Sequence, residues 1–406
     1  MRTLHVAALP FPSPQGTQGL LHQMLCALGE RGHDTHLLCY PHGASAARTG
    51  APRATPAYTV HRVPTRSFSR SLRSGPSLDK LWLDAGLARE LVRVSAALAP
   101  DLIVAHHVEA AACALARRHR PLLFVAHTSL VEELPTYAPA PLAPIVSRLG
   151  GLLETALVRR SDRTLAVSPT LARMLSAQTG CEVAALPLPW PLAAPITHEE
   201  ALAARAALGL SPVCEVALYA GNLDAYQGLA ALLPALALLA RQRPALRWLV
   251  ATESDPSKLA LALCEHGLVD RTTFAPLADE AARRLVHAAA DCALVPRQSA
   301  GGVPVKLLDA LARGVPTVAS ATALAGYPLA DHCTCVADQT PQHWSQAIAS
   351  VLEDRPKAHA RATSARTYVA QEHSAERFAQ ALEHSAKRFA KALEHPIRAS
   401  ERSQRR

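Results

Sequence analysis

Short apolar runs alternate with segments of helical period along most of this chain, and that alternation restricts the fold more than any other feature. Leu4–Leu9 reads as a strand, Gly19–Gly29 as a helix and Thr35–Tyr40 as the next strand. Leu102–Ala105, Leu122–Ala126 and Thr164–Val167 follow, with helical patterns between them. Strand and helix in this order predict a parallel sheet covered on both faces. A proline-rich break, Leu186-Pro-Leu-Pro-Trp-Pro-Leu-Ala-Ala-Pro195, interrupts the pattern and reads as a linker. Alternation then resumes through Val216–Tyr219, Leu246–Ala251, Thr273–Ala275, Cys292–Val295 and Thr317–Ala319. With 406 residues there is enough chain for two domains with full cores. The expected division is 1–190, 191–375 and a C-terminal helix with a basic tail over 376–406.

Aromatic residues make up only 4% of the chain against 49% hydrophobic, so the cores are expected to be aliphatic. The sequence shows no uninterrupted apolar stretch of membrane-spanning length, and its start lacks a signal-peptide pattern. Nine cysteines are scattered without a C-x-x-C pair, and Cys333-Thr-Cys335 is a lone C-x-C, which together suggest reduced thiols and a cytoplasmic setting. The formal net charge is +9, with one basic stripe through Arg62, Arg66, Arg70, Arg73 and Lys80 and another through Arg398, Arg402, Arg405 and Arg406. Such stripes are solvated loops or hold a protein against an anionic membrane, at roughly 1 kcal/mol per basic residue near the surface. No aromatic residues interleave with the arginines, which argues against nucleic acid as a partner.

The segment Gly301–Ser320 reads as a glycine turn, a short helix with Pro304 in its first turn, a glycine stop at Gly314 and a small-residue strand. Leu307, Leu308 and Leu311 form one apolar face at helical spacing. A glycine turn entering a helix leaves free N–H groups at a positive dipole end, which suits an anion such as a sugar diphosphate. Equally, it is an ordinary turn–helix–strand unit of an α/β domain.

In Gly302, Pro304, Ala310, Ala312, Gly314, Pro316, Val318 and Ala319 this segment resembles the donor-site helix of retaining glycosyltransferases of family 4. The resemblance implies a GT-B fold: two Rossmann-like α/β domains with parallel sheets facing an interdomain cleft. It also implies transfer of a sugar from a nucleoside diphosphate donor, a UDP- or GDP-sugar, to an acceptor hydroxyl, without a metal or other cofactor. The acceptor would be a glycan or a lipid-linked molecule, and the basic stripe from Arg62 to Lys80 adds the expectation of peripheral contact at the inner face of the membrane. On this helix Gly302, Val303, Val305, Lys306 and Asp309 are the implied donor-binding positions. Two departures stand out: Gly301 lies where the family has a glutamate that meets the donor sugar, and Asp309 replaces a glutamate that accepts hydrogen bonds from ribose.

The second glycine loop, Tyr219–Gly228, matches the family at Gly221, Leu223 and Gly228. Asn222 and Gln227 occupy the positions of an Arg and a Lys that neutralise the donor diphosphate. Lys306, and secondarily Arg297, are the expected substitutes, because a diphosphate without a cation binds poorly in a partly dry cleft. The first loop, ending in Gly16, Thr17 and Gln18, is the candidate acceptor or phosphate loop, and Arg31-Gly-His33 also matches the family. His127, at the end of a strand, is the candidate catalytic residue, placed near the transferred sugar by the resemblance. His106, His107 and Glu109 show no convincing metal spacing. Glu132 and Glu133 are paired carboxylates or a charged helix face, and Ser168 reads as a helix N-cap. Glu376–His384 nearly recurs as Lys387–His395, which predicts a C-terminal helix with Phe378 and Phe389 on similar faces. The alternative to an enzyme is a catalytically inactive nucleotide-sugar-binding or scaffold protein of the same fold.

Overall fold

Two parallel sheets, each wound outward from a central strand, organise the molecule. The computed structural model describes residues 1–12, 16–41, 57–64, 78–116, 121–224, 227–298 and 304–388. The first sheet contains β1 (Arg2–Pro10), β2 (Asp34–Tyr40), β3 (Thr59–Arg62), β4 (Leu102–His106), β5 (Leu122–Ala126), β6 (Arg163–Ala166) and β7 (Ala184–Ala185). Its order is β3-β2-β1-β4-β5-β6-β7. The second contains β8 (Glu215–Ala220), β9 (Leu246–Ala251), β10 (Thr272–Ala275), β11 (Cys292–Val295), β12 (Thr317–Ser320) and β13 (Thr334–Val336), in the order β10-β9-β8-β11-β12-β13. The chain reverses direction across each sheet once, between β1 and β4 and between β8 and β11. In open α/β sheets the crevice outside the strand C-termini at such a reversal is where ligands bind.

The central strands β4 and β5 are buried at every position, which their continuous apolar runs demand. The strands absent from the sequence expectation, β3, β7 and β13, all lie at sheet edges. They are two to four residues long and half-exposed, so they carry no apolar run to read.

The core of the first domain extends into the second. Leu4, Val6, Met24 and Phe124 belong to one buried cluster with Leu307, Leu308 and Leu311 of the helix Val305–Arg313, and with Phe378, Ala379 and Leu382. The latter three lie on a helix over 375–388, which therefore packs on the first domain. Arg31 and His33 hold it there through Glu383, at 3.3 and 2.9 Å. Phe389 and the C-terminal arginines fall outside the described residues. Two chain crossings connect the domains side by side: Trp190 N–H donates to the His373 carbonyl at 2.8 Å, and His373 Nδ1 lies 3.0 Å from the Leu188 carbonyl. A separate cluster around Trp248, Tyr219, Leu236, Trp344 and Ile348 fills the second domain. All nine cysteines are free thiols.

One long helix has no uninterrupted apolar run to mark it. The segment Ala140–Arg160 is helical, 21 residues long and, by length and composition alone, apolar enough to cross a membrane. Pro141, Pro144, Arg148 and Glu154 break its apolar run, so it escapes a search for uninterrupted stretches. In the fold it lies along the first domain. Leu157 and Val158 enter the core, and Glu154 is buried, accepting the Leu130 N–H at 3.0 Å. Leu142, Ile145, Leu149, Leu152 and Leu153 remain exposed.

Candidate functional site

Five loops carrying candidate residues leave the C-terminal ends of strands nearest the two reversals: β1, β4, β5, β8 and β11. This placement follows from parallel topology, because every strand delivers its following loop to the same edge.

Across the domain boundary, Gly16 opens the helix Gly16–Glu30 and meets Val305, which opens the helix Val305–Arg313. A Cβ at Gly16 would lie 3.5 Å from Val305 Cβ. Two helix N-termini thus face one junction, each with a positive dipole end. Pro304, before the second helix, supplies no side-chain cap. Thr17 is half-buried and Gln18 buried in the first turn of the first helix. Gly302 and Val303, like Gly301, lie outside the described residues.

Lys306 reaches from the second helix toward the β8 loop. Its Nζ donates to Gln227 Oε1 at 2.6 Å and to Tyr219 Oη at 2.7 Å, and lies 4.2 Å from the centre of the Tyr219 ring. Gln227 Nε2 donates to Asn222 Oδ1 at 2.6 Å, and Asn222 Nδ2 donates to Asp224 at 2.6 Å. Tyr219 Oη donates to the Asn222 carbonyl. Tyr219 and Gln227, the latter braced by Asn222, therefore hold the amino group of a lysine supplied by another element. Burial and the neighbouring Arg297 guanidinium push the Lys306 ammonium well below its ordinary range, with Asp224 opposing them. Gly221 makes this approach possible: a Cβ there would lie 3.0 Å from Lys306 Nζ. Gly228 is equally constrained, with φ +75° and a Cβ position 2.0 Å from the Pro296 carbonyl oxygen. Arg297 is buried at the end of β11, where its carbonyl accepts from Ser320 Oγ at 2.6 Å. Tyr219 has no signal in the sequence that marks it as part of the site; only the fold brings its hydroxyl to Lys306.

Asp309 has different surroundings. Its Oδ1 accepts from Arg313 Nε at 2.9 Å, while Oδ2 lies 3.8 Å from Arg283 and 3.9 Å from His287. Arg313 continues to Glu280 at 2.8 Å. Both carboxylate oxygens are engaged in a buried charge cluster that ties this helix to the helix Glu280–Ala289. Burial opposes ionisation, but His287, Arg313 and Arg283 outweigh it and hold the carboxyl below the usual range.

On the first-domain side, His127 follows β5 and is buried. His107 stacks on its ring at a centroid distance of 4.3 Å. His107 adopts φ +67°, uncommon for a residue with a Cβ and a feature that recurs at ligand sites. Both rings line a recess of about 170 Å³ together with Lys80, Glu133, Tyr137 and Leu153. Glu133 accepts from Thr128 Oγ1 at 2.6 Å, so it is tied to the loop after β5. Glu132 stands beside it on the short helix Leu130–Glu133. Ser168 caps the helix Pro169–Thr179 by accepting the Leu171 N–H at 3.1 Å. Among the described residues, no group of three His, Cys, Asp or Glu side chains is arranged to hold a metal ion.

Known proteins resemble both halves of this chain. The model described as Glycosyltransferase Family 4 matches residues 14–187, and that described as Glycosyl transferases group 1 matches residues 200–368. The chain is 31% identical over 248 residues to a D-inositol 3-phosphate glycosyltransferase of Segniliparus rotundus, covering 57% of this chain and 53% of that protein. It is 27% identical over 312 residues to the protein of the same name from Nocardia farcinica, covering 71% and 68%. The first of these matches spans about half the length of the relative. Among solved structures, sucrose-phosphate synthase from Thermosynechococcus elongatus superposes with a TM-score of 0.76 at 18% identity, over 97% of this chain and 100% of that one. Anabaena HepE in complex with UDP-glucose superposes with a TM-score of 0.70 at 17% identity, over 96% and 100%.

Proposed function

Because the chain belongs to the group 1 glycosyltransferases of GT-B fold, we propose that it transfers a sugar from a nucleoside diphosphate sugar to an acceptor hydroxyl, with retention. The observation that carries this reading is the junction at Gly16, Val305 and Lys306. Two helix N-termini and a held ammonium converge there, in a crevice set by two strand reversals. A diphosphate matches it: its negative charge favours the protonated Lys306 that burial disfavours, and that ammonium and the helix dipoles stabilise the charge that grows on the leaving phosphate. HepE is described with UDP-glucose, which favours a uridine nucleotide as donor. His127 serves the sugar from the first-domain side, and the recess beside it receives the acceptor.

The acceptor is drawn from a glycan or lipid-linked pool at an anionic membrane surface. Support comes from the helix Ala143–Arg160, whose outward face carries Ile145, Leu149, Leu152 and Leu153. Its exposed charged residues are Arg148, Arg159 and Arg160, the one acidic residue, Glu154, being buried. Leucines beside arginines suit the headgroup boundary of anionic lipid. Leu153 lines the same recess as Lys80, and two residues beyond Lys80 stands Trp82, 72% exposed. Arg66, Arg70 and Arg73 of the basic stripe fall outside the described residues.

Turnover of radiolabelled UDP- and GDP-sugars, with and without anionic lipid extract, tests the reading. Sugar transfer with one donor class is the expected result. Tight donor binding with no turnover on any acceptor would make the chain a nucleotide-sugar-binding protein instead.

A further inference from the structure

Beneath His127 a line of histidines runs into the first domain. His5 Nδ1 lies 2.9 Å from His106 Nε2, and His106 Nδ1 lies 3.0 Å from His127 Nε2. The sheet register explains the line. His5 of β1 stands opposite Val104 of β4, and His106 is two residues further along β4. His106 in turn stands opposite Val125 of β5, and His127 is two residues further. Residues paired in register, and residues two apart on a strand, share one face of a sheet. The three rings therefore climb one face diagonally, one strand over and two residues up at each step, from the buried interior to the C-terminal edge. All three are buried.

We propose that His5 and His106 are positioning residues, whose hydrogen-bonded file fixes the ring orientation and proton placement of His127 so that it presents Nδ1–H to the ligand. The proposal rests on the reading of His127 as the group that meets the transferred sugar. Burial lowers the basicity of all three, His5 to about 3, so each ring holds a single proton at neutral pH. A neutral imidazole has one donor and one acceptor nitrogen. Both contacts are then satisfied in only two ways, with every ring donating toward the edge or every ring donating toward the interior. Mixed arrangements leave two lone pairs or two protons facing each other.

The buried end selects between these orders. Among the described residues, His5 Nε2 is buried and has no hydrogen-bond partner. Donation toward the interior would leave an N–H stranded there, and orphaned buried N–H groups are rare in folded proteins. Donation toward the edge leaves only a lone pair. In that order His106 Nδ1–H donates to His127 Nε2, and Nδ1–H becomes the ring donor that His127 has left for a ligand. His107, stacked on the ring of His127, restrains its tilt.

The test uses the full-length protein labelled with 15N-histidine. Long-range 1H–15N spectra, assigned by single substitutions, report which nitrogen of His127 carries the proton. The expected parent spectrum shows Nδ1–H, and Nε2–H on His127 overturns the proposed order. In His106→Phe, His127 should lose its single tautomer. Turnover should fall on the order of 10- to 100-fold, the size outer hydrogen-bond partners have on the groups they orient, while donor KM changes less than about twofold, as for an interaction made mainly in the transition state. His106→Gln, which keeps a donor and an acceptor, should recover most of the loss. His5→Phe, farther from the edge, provides a second break in the file if His106→Phe does not fold. Parent-like turnover in His127→Ala overturns the reading of His127 itself. Low turnover in His127→Ala with parent-like turnover in His106→Phe and His5→Phe overturns the file alone.

Discussion

Lys306 Nζ sits 2.6 Å from Gln227 Oε1, joining the helix Val305–Arg313 to the loop after β8. Gln227 occupies the place where the resemblance to the family implies a lysine. A lysine amino group is still present at that place, but it arrives from a different element and is held by the amide that replaced it. An uncharged Asn222–Gln227 pair is thereby compatible with an anion site.

Lys306→Met should weaken UDP or GDP binding by about 1.5–3 kcal/mol, the range for hydrogen bonds to charged groups. Binding of the corresponding nucleoside, which lacks phosphates, should change little. Calorimetry with both ligands separates the two cases. Equal losses for nucleotide and nucleoside would show that Lys306 only supports the loop.

Asp309→Ala removes the centre of the buried cluster with Arg313, Arg283 and His287. Breaking a buried ion pair from one side costs about 3–5 kcal/mol, so urea unfolding should show a large loss of stability. The pH dependence has a definite sign. The folded carboxyl titrates below its ordinary 3.8, so its contribution is fully present above that value and is lost as pH falls through the lower, folded value. Parent-like stability of Asp309→Ala, with weaker nucleotide binding, would instead assign this carboxylate to ribose.

Gly228→Ala places a side chain at φ +75° with its Cβ 2.0 Å from the Pro296 carbonyl oxygen. The backbone conformation alone costs about 1–3 kcal/mol, and the clash forces the loop off β11. Thermal unfolding should fall clearly, and nucleotide binding should weaken with it. A stable variant with unchanged affinity would contradict the close packing of these two loops.

Glu383→Gln should loosen the helix over 375–388, which Phe378 and Leu382 still anchor, without unfolding the domain. Its carboxyl is held below the ordinary range, first by the His33 hydrogen bond and then by Arg31. Hydrogen exchange should accelerate across 375–388 and remain unchanged in β4 and β5. Uniform acceleration throughout would mean that the helix is part of one cooperative unit. The same pair predicts that acid loosens the helix as pH drops through the lowered folded value of Glu383.

The lipid-facing reading predicts that Ile145→Glu, Leu149→Glu and Leu152→Glu together release the protein from anionic vesicles. Each position is more than half exposed, so the fold should tolerate the changes. Co-sedimentation with anionic and with neutral vesicles provides the measurement. Unchanged binding to anionic vesicles would remove this face from the proposal.

The central strands were legible because burial on both faces requires unbroken apolar runs, as in Leu102–Ala105 and Leu122–Ala126. The glycine stop at Gly314 was legible for a local reason as well: it ends its helix at φ +71°, where only glycine is at ease. The edge strands β3, β7 and β13 were not, since short half-exposed strands take their pairing from a neighbour. The exposed face of Ala143–Arg160 was hidden for the opposite reason, because proline and charge interrupt its linear run while the helix gathers its leucines on one side.

Sequence by itself determined the two α/β halves, the break between them and the residue types available at each strand end. All of these depend on local periodicity and on backbone preferences that act within a few residues. Which of those residues meet was decided only in three dimensions. His5 lies 101 residues from His106, and Tyr219 lies 87 from Lys306. Their contacts depend on strand order and register, which arise when distant segments bury their apolar faces together, and no pattern along the chain encodes such a meeting directly.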